Sequence, residues 1–138
     1  MGLFDSKESK EKKSHFKNMI SLAMIDGDYD ESEHSFLVDR GMVWGLTRKE
    51  VDAVLKDPQK IKFVVPDNPD KCIAQLYDLI VMMLADGVIQ QDEMDFVQTL
   101  ATRMGFRPSD VPRMLEGIIE QARENQKPDI DANEFLNS

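Results

Sequence analysis

The pattern of the first half of the chain returns 60 residues later, and this internal repeat constrains the fold more than any other sequence feature. Residues 21–55 align with residues 81–115 without a gap. The positions identical in both copies are Asp26 and Asp86, Gly27 and Gly87, Glu33 and Glu93, Phe36 and Phe96, Gly45 and Gly105, Val51 and Val111, and Leu55 and Leu115. Apolar residues also coincide where identity fails, as at Leu37 and Val97. We therefore expect two halves of one design.

The sequence predicts three helices in each half, because apolar residues recur at intervals of three and four residues and no segment alternates as a strand would. The predicted helices span about residues 9–25, about 31–44 and a short stretch after Thr47, then about 70–85, about 91–104 and a stretch from Ser109 to about Ala122. Glycines at 27, 45, 87 and 105 are suited to end helices. The predicted fold is all-α, with two pseudo-symmetric halves in one compact bundle. Each half consists of a helix, an Asp-Gly loop and two further helices.

Local signals add detail to these helices. N-caps are expected at Asp30 with Glu33, at Thr47 with Glu50, and at Ser109 with Pro112 in the first turn. The inner face of the second helix is expected to comprise Phe36, Leu37, Met42 and Val43. Capping-box spacing between Asp131 and Glu134 predicts a last short turn that reaches Leu136.

The expected domain organisation follows from these elements. Residues 1–13 are expected to be a flexible lead-in, and residues 14–138 a single domain with repeat halves at about 16–57 and 71–122, a connector at 58–70 and a C-terminal turn within 128–138. The proline-rich connector has an apolar middle, which favours packing along the core, with an exposed docking segment as the alternative. The start, Met1 to Ser6, also matches the loose N-myristoylation pattern, so contact with a membrane is the alternative to a solvated lead-in.

Charge and composition narrow the classes of function. The 138 residues include 26 acidic and 17 basic side chains, and the net charge of −9 disfavours nucleic acid and anionic lipid as partners. No apolar run approaches the roughly 20 residues that cross a bilayer, and no segment has the order of a secretory signal. The single cysteine, Cys72, fits a reducing compartment. A cytoplasmic protein without an integral membrane segment is expected.

The two Asp-Gly loops have three interpretations. In the first, glycine turns the chain and the acids cap the next helix. In the second, the carboxylates bind a divalent cation such as Ca²⁺ or Mg²⁺, with candidate ligands Asp26, Asp28, Asp30, Glu33, Asp86 and Glu93. In the third, they form an acidic patch that docks a protein. The first loop is not an EF-hand, because Glu31 replaces the required glycine and Leu37 occupies the final ligand position.

Catalytic motifs are missing from the sequence. His15 and His34 belong to no zinc-binding pattern, and Cys72 is expected to be a buried structural thiol. The chain has no glycine-rich phosphate loop, nucleophile elbow or dinucleotide fingerprint. We therefore expect that the protein is not an enzyme and has no resident cofactor, with a Ca²⁺- or Mg²⁺-type cation as the one alternative.

One known family has a similar pattern. The residues that carry the resemblance are Phe16-Lys17-Asn18-Met19-Ile20, Ala23, Asp26-Gly27, Glu33, Leu84-Ala85-Asp86-Gly87-Val88-Ile89, Glu93 and Met104-Gly105-Phe106. Over about residues 14–122 the chain resembles the TerB-like family, which includes tellurite-resistance TerB proteins and the amino-terminal domain of DjlA-type co-chaperones. The resemblance implies two pseudo-symmetric helical halves, a bacterial cytoplasmic setting, and metal binding or partner contact at Asp26, Glu33, Asp86 and Glu93.

The expected function is a non-enzymatic, TerB-like binding or adaptor protein associated with stress or tellurite resistance, with an unidentified protein partner. The alternative is a divalent-cation sensor that uses the Asp-Gly loops. Val88 and Gln90 stand opposite Asp28 and Asp30, so the first loop is the favoured cation site. The chain lacks the His-Pro-Asp signature of a J domain, so direct stimulation of an Hsp70 partner is not expected.

Overall fold

The fold is all-α, as the sequence predicts. A computed structural model describes residues 6–25, 31–85, 87–127 and 129–136, with the side chains of residues 32 and 33 left out. These ranges contain six α-helices and no β-strand. No helix within them is long and apolar enough to cross a bilayer.

The chain divides into two compact units, Met1–Val64 and Val65–Ser138, and the division lies inside the predicted connector. Unit 1 contains α1 (Lys7–Met24), α2 (Glu31–Val43), α3 (Arg48–Lys56) and a short 3₁₀ turn (Pro58–Lys60). Unit 2 contains α4 (Pro69–Ala85), α5 (Gln91–Arg103), α6 (Val111–Arg123) and a final 3₁₀ turn (Ala132–Phe135). Every predicted helix is present within a few residues of its expected bounds.

The three helices of each unit enclose an apolar core. In unit 1 the buried apolar side chains are Phe16, Met19, Ile20, Leu22, Leu37, Val38, Leu46, Val51 and Val54. In unit 2 the fully or nearly fully buried ones include Ile73, Leu76, Leu79, Ile80, Met83, Val97, Leu100, Phe106, Met114, Leu115 and Ile118. Burial of this apolar surface is the main force that holds short helices together.

Two glycines end α2 and α5 in the same way. Gly45 and Gly105 have φ of 96° and 106°, a region that side chains with a Cβ rarely adopt. In α2 the amide of Leu46 donates to the carbonyl of Gly41 at 3.0 Å, and in α5 the amide of Phe106 donates to that of Ala101 at 3.2 Å. These are Schellman endings, and they turn Leu46 and Phe106 back into the cores of their units.

The predicted inner face of α2 is wrong for three of its four residues. Leu37 is buried, but Phe36, Met42 and Val43 are exposed. The stripe that meets the core consists instead of Leu37, Val38 and Gly41. Gly41 carries no apolar side chain, so the periodicity did not indicate it. Its role is to let α2 approach α1 and α3 closely, since a Cβ there would lie 2.8 Å from Val51 Cγ2.

The connector packs against unit 1 over residues 61–64. The Lys17 ammonium donates to the Ile61 carbonyl at 2.7 Å, and the Val64 amide donates to the Ser14 hydroxyl at 2.9 Å. Both partners lie on α1. These two hydrogen bonds support the interpretation that residues 61–64 pack against the core, and they disfavour the alternative of an exposed docking segment there.

The N-cap of α6 differs from the prediction. The cap is Asp110, not Ser109, and no side chain caps the helix, although Pro112 lies in the first turn as expected. The Asp110 carboxylate is engaged elsewhere, at 2.7 Å from Arg107 Nε and 3.7 Å from Arg113 Nη2. Two ion pairs therefore hold the carboxylate away from the helix amides that it would otherwise accept from.

Candidate functional site

Most of the predicted cation ligands lie outside the described residues. This applies to Asp26, Asp28, Asp30 and Asp86, and to the side chain of Glu33. The cation interpretation of the two loops therefore stays a prediction. Within residues 6–25, 31–85, 87–127 and 129–136, no group of three or more His, Cys, Asp or Glu side chains is arranged to hold a metal ion.

Glu93 is the one candidate ligand whose side chain is described. It is 5% exposed, and its Oε1 accepts a hydrogen bond from the Gln90 amide at 2.9 Å. This contact satisfies an amide at the N-terminus of α5 that has no acceptor within the helix. Glu93 therefore caps α5, as the backbone interpretation of the loop predicts.

The outer face of α2 exposes apolar side chains to solvent. We use this name for Phe36, Arg40, Met42 and Val43. Phe36 is 40% exposed, Met42 48% and Val43 72%. At about 100° per residue, Phe36 and Val43 lie within about 20° of each other, and the buried Leu37 and Gly41 lie about 100–160° away around the helix. The core of unit 1 therefore does not account for these side chains.

Arg40 lies on the same stripe and contacts Phe36. Its guanidinium carbon is 5.2 Å from the centroid of the Phe36 ring, within the range of a cation–π interaction. The contact places the planar guanidinium over the Phe36 ring at the surface. Arg and aromatic residues are enriched among the residues that contribute most to protein–protein binding.

The aligned face of α5 is polar. Thr102 and Arg103 stand where α2 has Met42 and Val43, and both are exposed. The two helices thus share their Schellman ending but differ in the residues that precede it. The exposed apolar pair at the end of α2 therefore has no counterpart at the aligned positions of α5, and this difference can be read from the sequence.

A cluster of polar side chains joins the N-terminal parts of α1 and α3. The Glu50 carboxylate accepts from the Thr47 amide at 2.9 Å and from the Ser9 hydroxyl at 2.8 Å, and lies 3.8 Å from Lys13 Nζ. The Thr47 hydroxyl in turn accepts from the Glu50 amide, so the predicted capping box of α3 is confirmed. The pKa of Glu50 is lowered chiefly by the hydrogen bond from the Thr47 backbone, which outweighs the opposing effect of burial. The hydrogen bonds with the Ser9 and Thr47 side chains and the charge of Lys13 lower it further.

The capping box gives a pH-dependent prediction. Because the pKa of Glu50 is lower in the folded chain than its ordinary value of 4.5, the ionised carboxylate adds stability above that value, and the contribution is lost as the pH falls through the folded pKa. Glu50→Gln keeps the shape and the Thr47 contact but removes the charge. The gap in Tm between wild type and variant should therefore narrow between neutral pH and about pH 3. Parallel Tm curves would contradict this assignment.

His15 and Cys72, the residues considered for catalysis, are both buried in helices. His15 is buried on α1, and its ring stacks on Trp44 with centroids 3.9 Å apart and planes inclined by 13°. Cys72 is buried in α4, as predicted. In the described part of the chain, neither residue lies at a surface cleft with a catalytic partner beside it.

Comparison with protein-family models, with curated proteins and with solved structures finds no match to this chain. The resemblance to the TerB-like family therefore rests on the residues and spacings of the sequence.

Proposed function

We propose that this chain is a non-enzymatic adaptor of the TerB-like type, which binds a protein partner through the outer face of α2 and acts in stress response or tellurite resistance. The single observation that carries the binding function is the exposure of Phe36, Met42 and Val43 on a face that the unit's own core leaves uncovered. The TerB-like relationship and the cellular role rest on the sequence resemblance.

The proposal includes an origin of the two units by duplication. Residues 60 positions apart share burial in the two units, as with Phe16 and Leu76, and with Val51 and Val111. The Schellman endings at Gly45 and Gly105 also coincide under this offset. These correspondences support the pseudo-symmetric design inferred from the repeat.

A protein is the partner class that best fits the outer face of α2. A chain with a net charge of −9 repels phosphate backbones and anionic headgroups. The face combines a phenylalanine, an arginine and a methionine, which are residue types enriched at protein interfaces, with an exposed valine. Covering it with an apolar partner surface would remove these side chains from water, at a gain of about 25 cal/mol per Å² of apolar area.

The test transfers the polar face of α5 to α2. In the double variant Met42→Thr with Val43→Arg, both positions take the residue found at the aligned place in unit 2. Because both sites are exposed, stability should change by less than about 1 kcal/mol. Affinity for a partner isolated from native lysate with the wild-type chain should fall at least about tenfold, measured by calorimetry.

Val81→Arg in α4 is the matched control, because it makes the same valine-to-arginine exchange at an exposed apolar position outside the outer face of α2. This variant should bind the partner as the wild type does. If the double variant is folded and retains full affinity, the outer face of α2 is not the docking surface.

The cation alternative rests on five acids within residues 26–33. It predicts that Ca²⁺ or Mg²⁺ raises the Tm by mass action and that Asp28→Asn with Asp30→Asn abolishes the rise. Glu93→Gln should retain the response, because its carboxylate caps α5. A Tm that no divalent cation changes at millimolar concentration would remove this alternative and leave the adaptor proposal intact.

A further inference from the structure

Met42 is the sulfur-containing side chain on the outer face of α2. Among the methionines whose side chains the structure describes, two are exposed, Met42 at 48% and Met24 at 56%. The other described methionines are buried or half-buried, namely Met19, Met82, Met83, Met94, Met104 and Met114. Because a dissolved oxidant must reach the sulfur, Met42 and Met24 are expected to react before the methionines of the core.

Peroxide converts methionine to its sulfoxide by transfer of one oxygen atom. The sulfur lone pair attacks an oxygen of hydrogen peroxide, so that an S–O bond forms and the O–O bond breaks. The departing hydroxide takes up the proton left on the transferred oxygen and becomes water. Methionine loses two electrons and the peroxide gains them, so the step needs no other reactant. Its product is a polar side chain in place of an apolar one.

Met42 lies outside the core of unit 1. The buried stripe of α2 consists of Leu37, Val38 and Gly41. At the place in α5 that aligns with Met42, the exposed residue is the polar Thr102. Polar replacements at exposed positions usually change stability by less than about 0.5 kcal/mol. A sulfoxide at Met42 should therefore change the surface of unit 1 with little effect on its core.

The same oxidation works against docking at the outer face of α2. The sulfoxide oxygen accepts hydrogen bonds from water, and a partner that covers it must supply a donor or leave it unpaired. Burying a polar group without a hydrogen bond is unfavourable. This cost opposes the gain from burying Phe36 and Val43, which lie exposed on the same face.

We propose that Met42 is a redox-sensitive modification site, and that its oxidation by peroxide releases the protein partner from the outer face of α2. The inference rests on the proposed docking function of that face and adds a regulatory input to it. The reverse reaction uses a dithiol and methionine sulfoxide reductases. It forms a disulfide in the reductant, removes the oxygen as water and restores the apolar side chain. The peroxide level therefore sets how much of the chain is competent to bind.

Three forms of the full chain separate Met42 from the other methionines. Met42→Leu removes the sulfur but keeps an apolar side chain of similar size, and Met24→Leu does the same at the exposed methionine of α1. Each form is treated with a limiting amount of hydrogen peroxide, and peptide mass spectrometry locates the added oxygen. In the wild type, Met42 should gain oxygen before the buried methionines. If Met42 stays reduced while they are oxidised, the proposal is wrong.

Binding is then measured by calorimetry, after removal of the peroxide, with the untreated partner isolated from native lysate. Oxidation should lower the affinity of the wild type and of Met24→Leu at least about tenfold, and should leave that of Met42→Leu unchanged. Circular dichroism checks that the oxidised chains remain folded. Treatment of the oxidised wild type with sulfoxide reductases and dithiothreitol should restore its affinity.

The outcomes distinguish this proposal from the docking function on which it rests. If Met42→Thr with Val43→Arg loses affinity but the oxidised wild type retains it, the redox inference is wrong and the docking function stands. If oxidised Met42→Leu loses affinity as the wild type does, another residue is responsible and the redox inference is again wrong. If the double variant is folded and retains full affinity, both proposals are overturned.

Discussion

Replacing Phe106 with alanine is expected to lower the free energy of unfolding by about 3–5 kcal/mol, the range for removing a buried aromatic ring. The Phe106 side chain is fully buried. It lies where two features of unit 2 meet, because its amide closes the Schellman ending of α5 and its backbone bridges to Leu136. Loss of the ring leaves a cavity near the end of α5, where Phe106 meets Leu136. Urea unfolding followed by circular dichroism measures the change.

Phe106→Leu is the matched control, because Leu46 occupies the aligned position in unit 1 and is also buried. This apolar replacement should lower the free energy of unfolding by less than about 1.5 kcal/mol. If Phe106→Ala lowers the free energy of unfolding no more than Phe106→Leu does, the Phe106 ring does not stabilise the core of unit 2.

The helices were predictable because their signals are local. Apolar spacing located all six of the helices in the described ranges, and glycines marked the ends of α2 and α5 where a left-handed residue is required. The capping box of Thr47 and Glu50 was also predictable, since its two partners are three residues apart. Such features depend on neighbours in sequence and not on the rest of the fold.

Burial of polar residues on α1 was not predictable from spacing. Glu11, Ser14, His15 and Asn18 lie on one side of the helix, and each is buried. For Ser14 and His15 the reasons are distant in sequence, because Val64 donates to the Ser14 hydroxyl and the Trp44 ring stacks on His15. Met24, an apolar residue at the end of α1, is exposed.

The end of unit 2 shows the same limit. The sequence predicted a short turn between Asp131 and Leu136, and a 3₁₀ turn is present there, with Asp131 accepting from the Asn133 amide. The sequence did not indicate that the turn lies against α4 and beside Arg113. The chain reaches those contacts after a reversal at Asn125, whose φ of 57° has no periodic signal in the sequence.

For the candidate site, the sequence contained more information than apolar periodicity uses. Counting apolar residues assigned Phe36, Met42 and Val43 to the core of unit 1, and that prediction was wrong. At the aligned places in α5, Thr102 and Arg103 are polar and exposed, so the last turn of α5 has no apolar side chain at these two positions. The exposed positions at which the two aligned stretches differ are therefore where the proposed docking surface was sought.

Replacing Gly41 with alanine is expected to destabilise the chain by about 1–3 kcal/mol, despite the gain in helix propensity of about 1 kcal/mol. A Cβ at this position would lie 2.8 Å from Val51 Cγ2 and 3.1 Å from the Phe16 ring. Both neighbours are fully buried, so neither can move without displacing the core around it. α2 would have to shift outward from α1 and α3. Urea unfolding of the variant measures the cost.

Gly117→Ala in α6 is the control with the opposite expected sign. A Cβ there would meet only Ile130 Cδ1, at an ordinary contact distance of 3.5 Å, so helix propensity should dominate and stabilise the chain by about 0.5–1 kcal/mol. The same substitution in two helices thus separates Gly41, which close packing requires, from Gly117, where the structure has room for a Cβ. Stabilisation by Gly41→Ala would contradict the close approach of α2 to Val51 and Phe16.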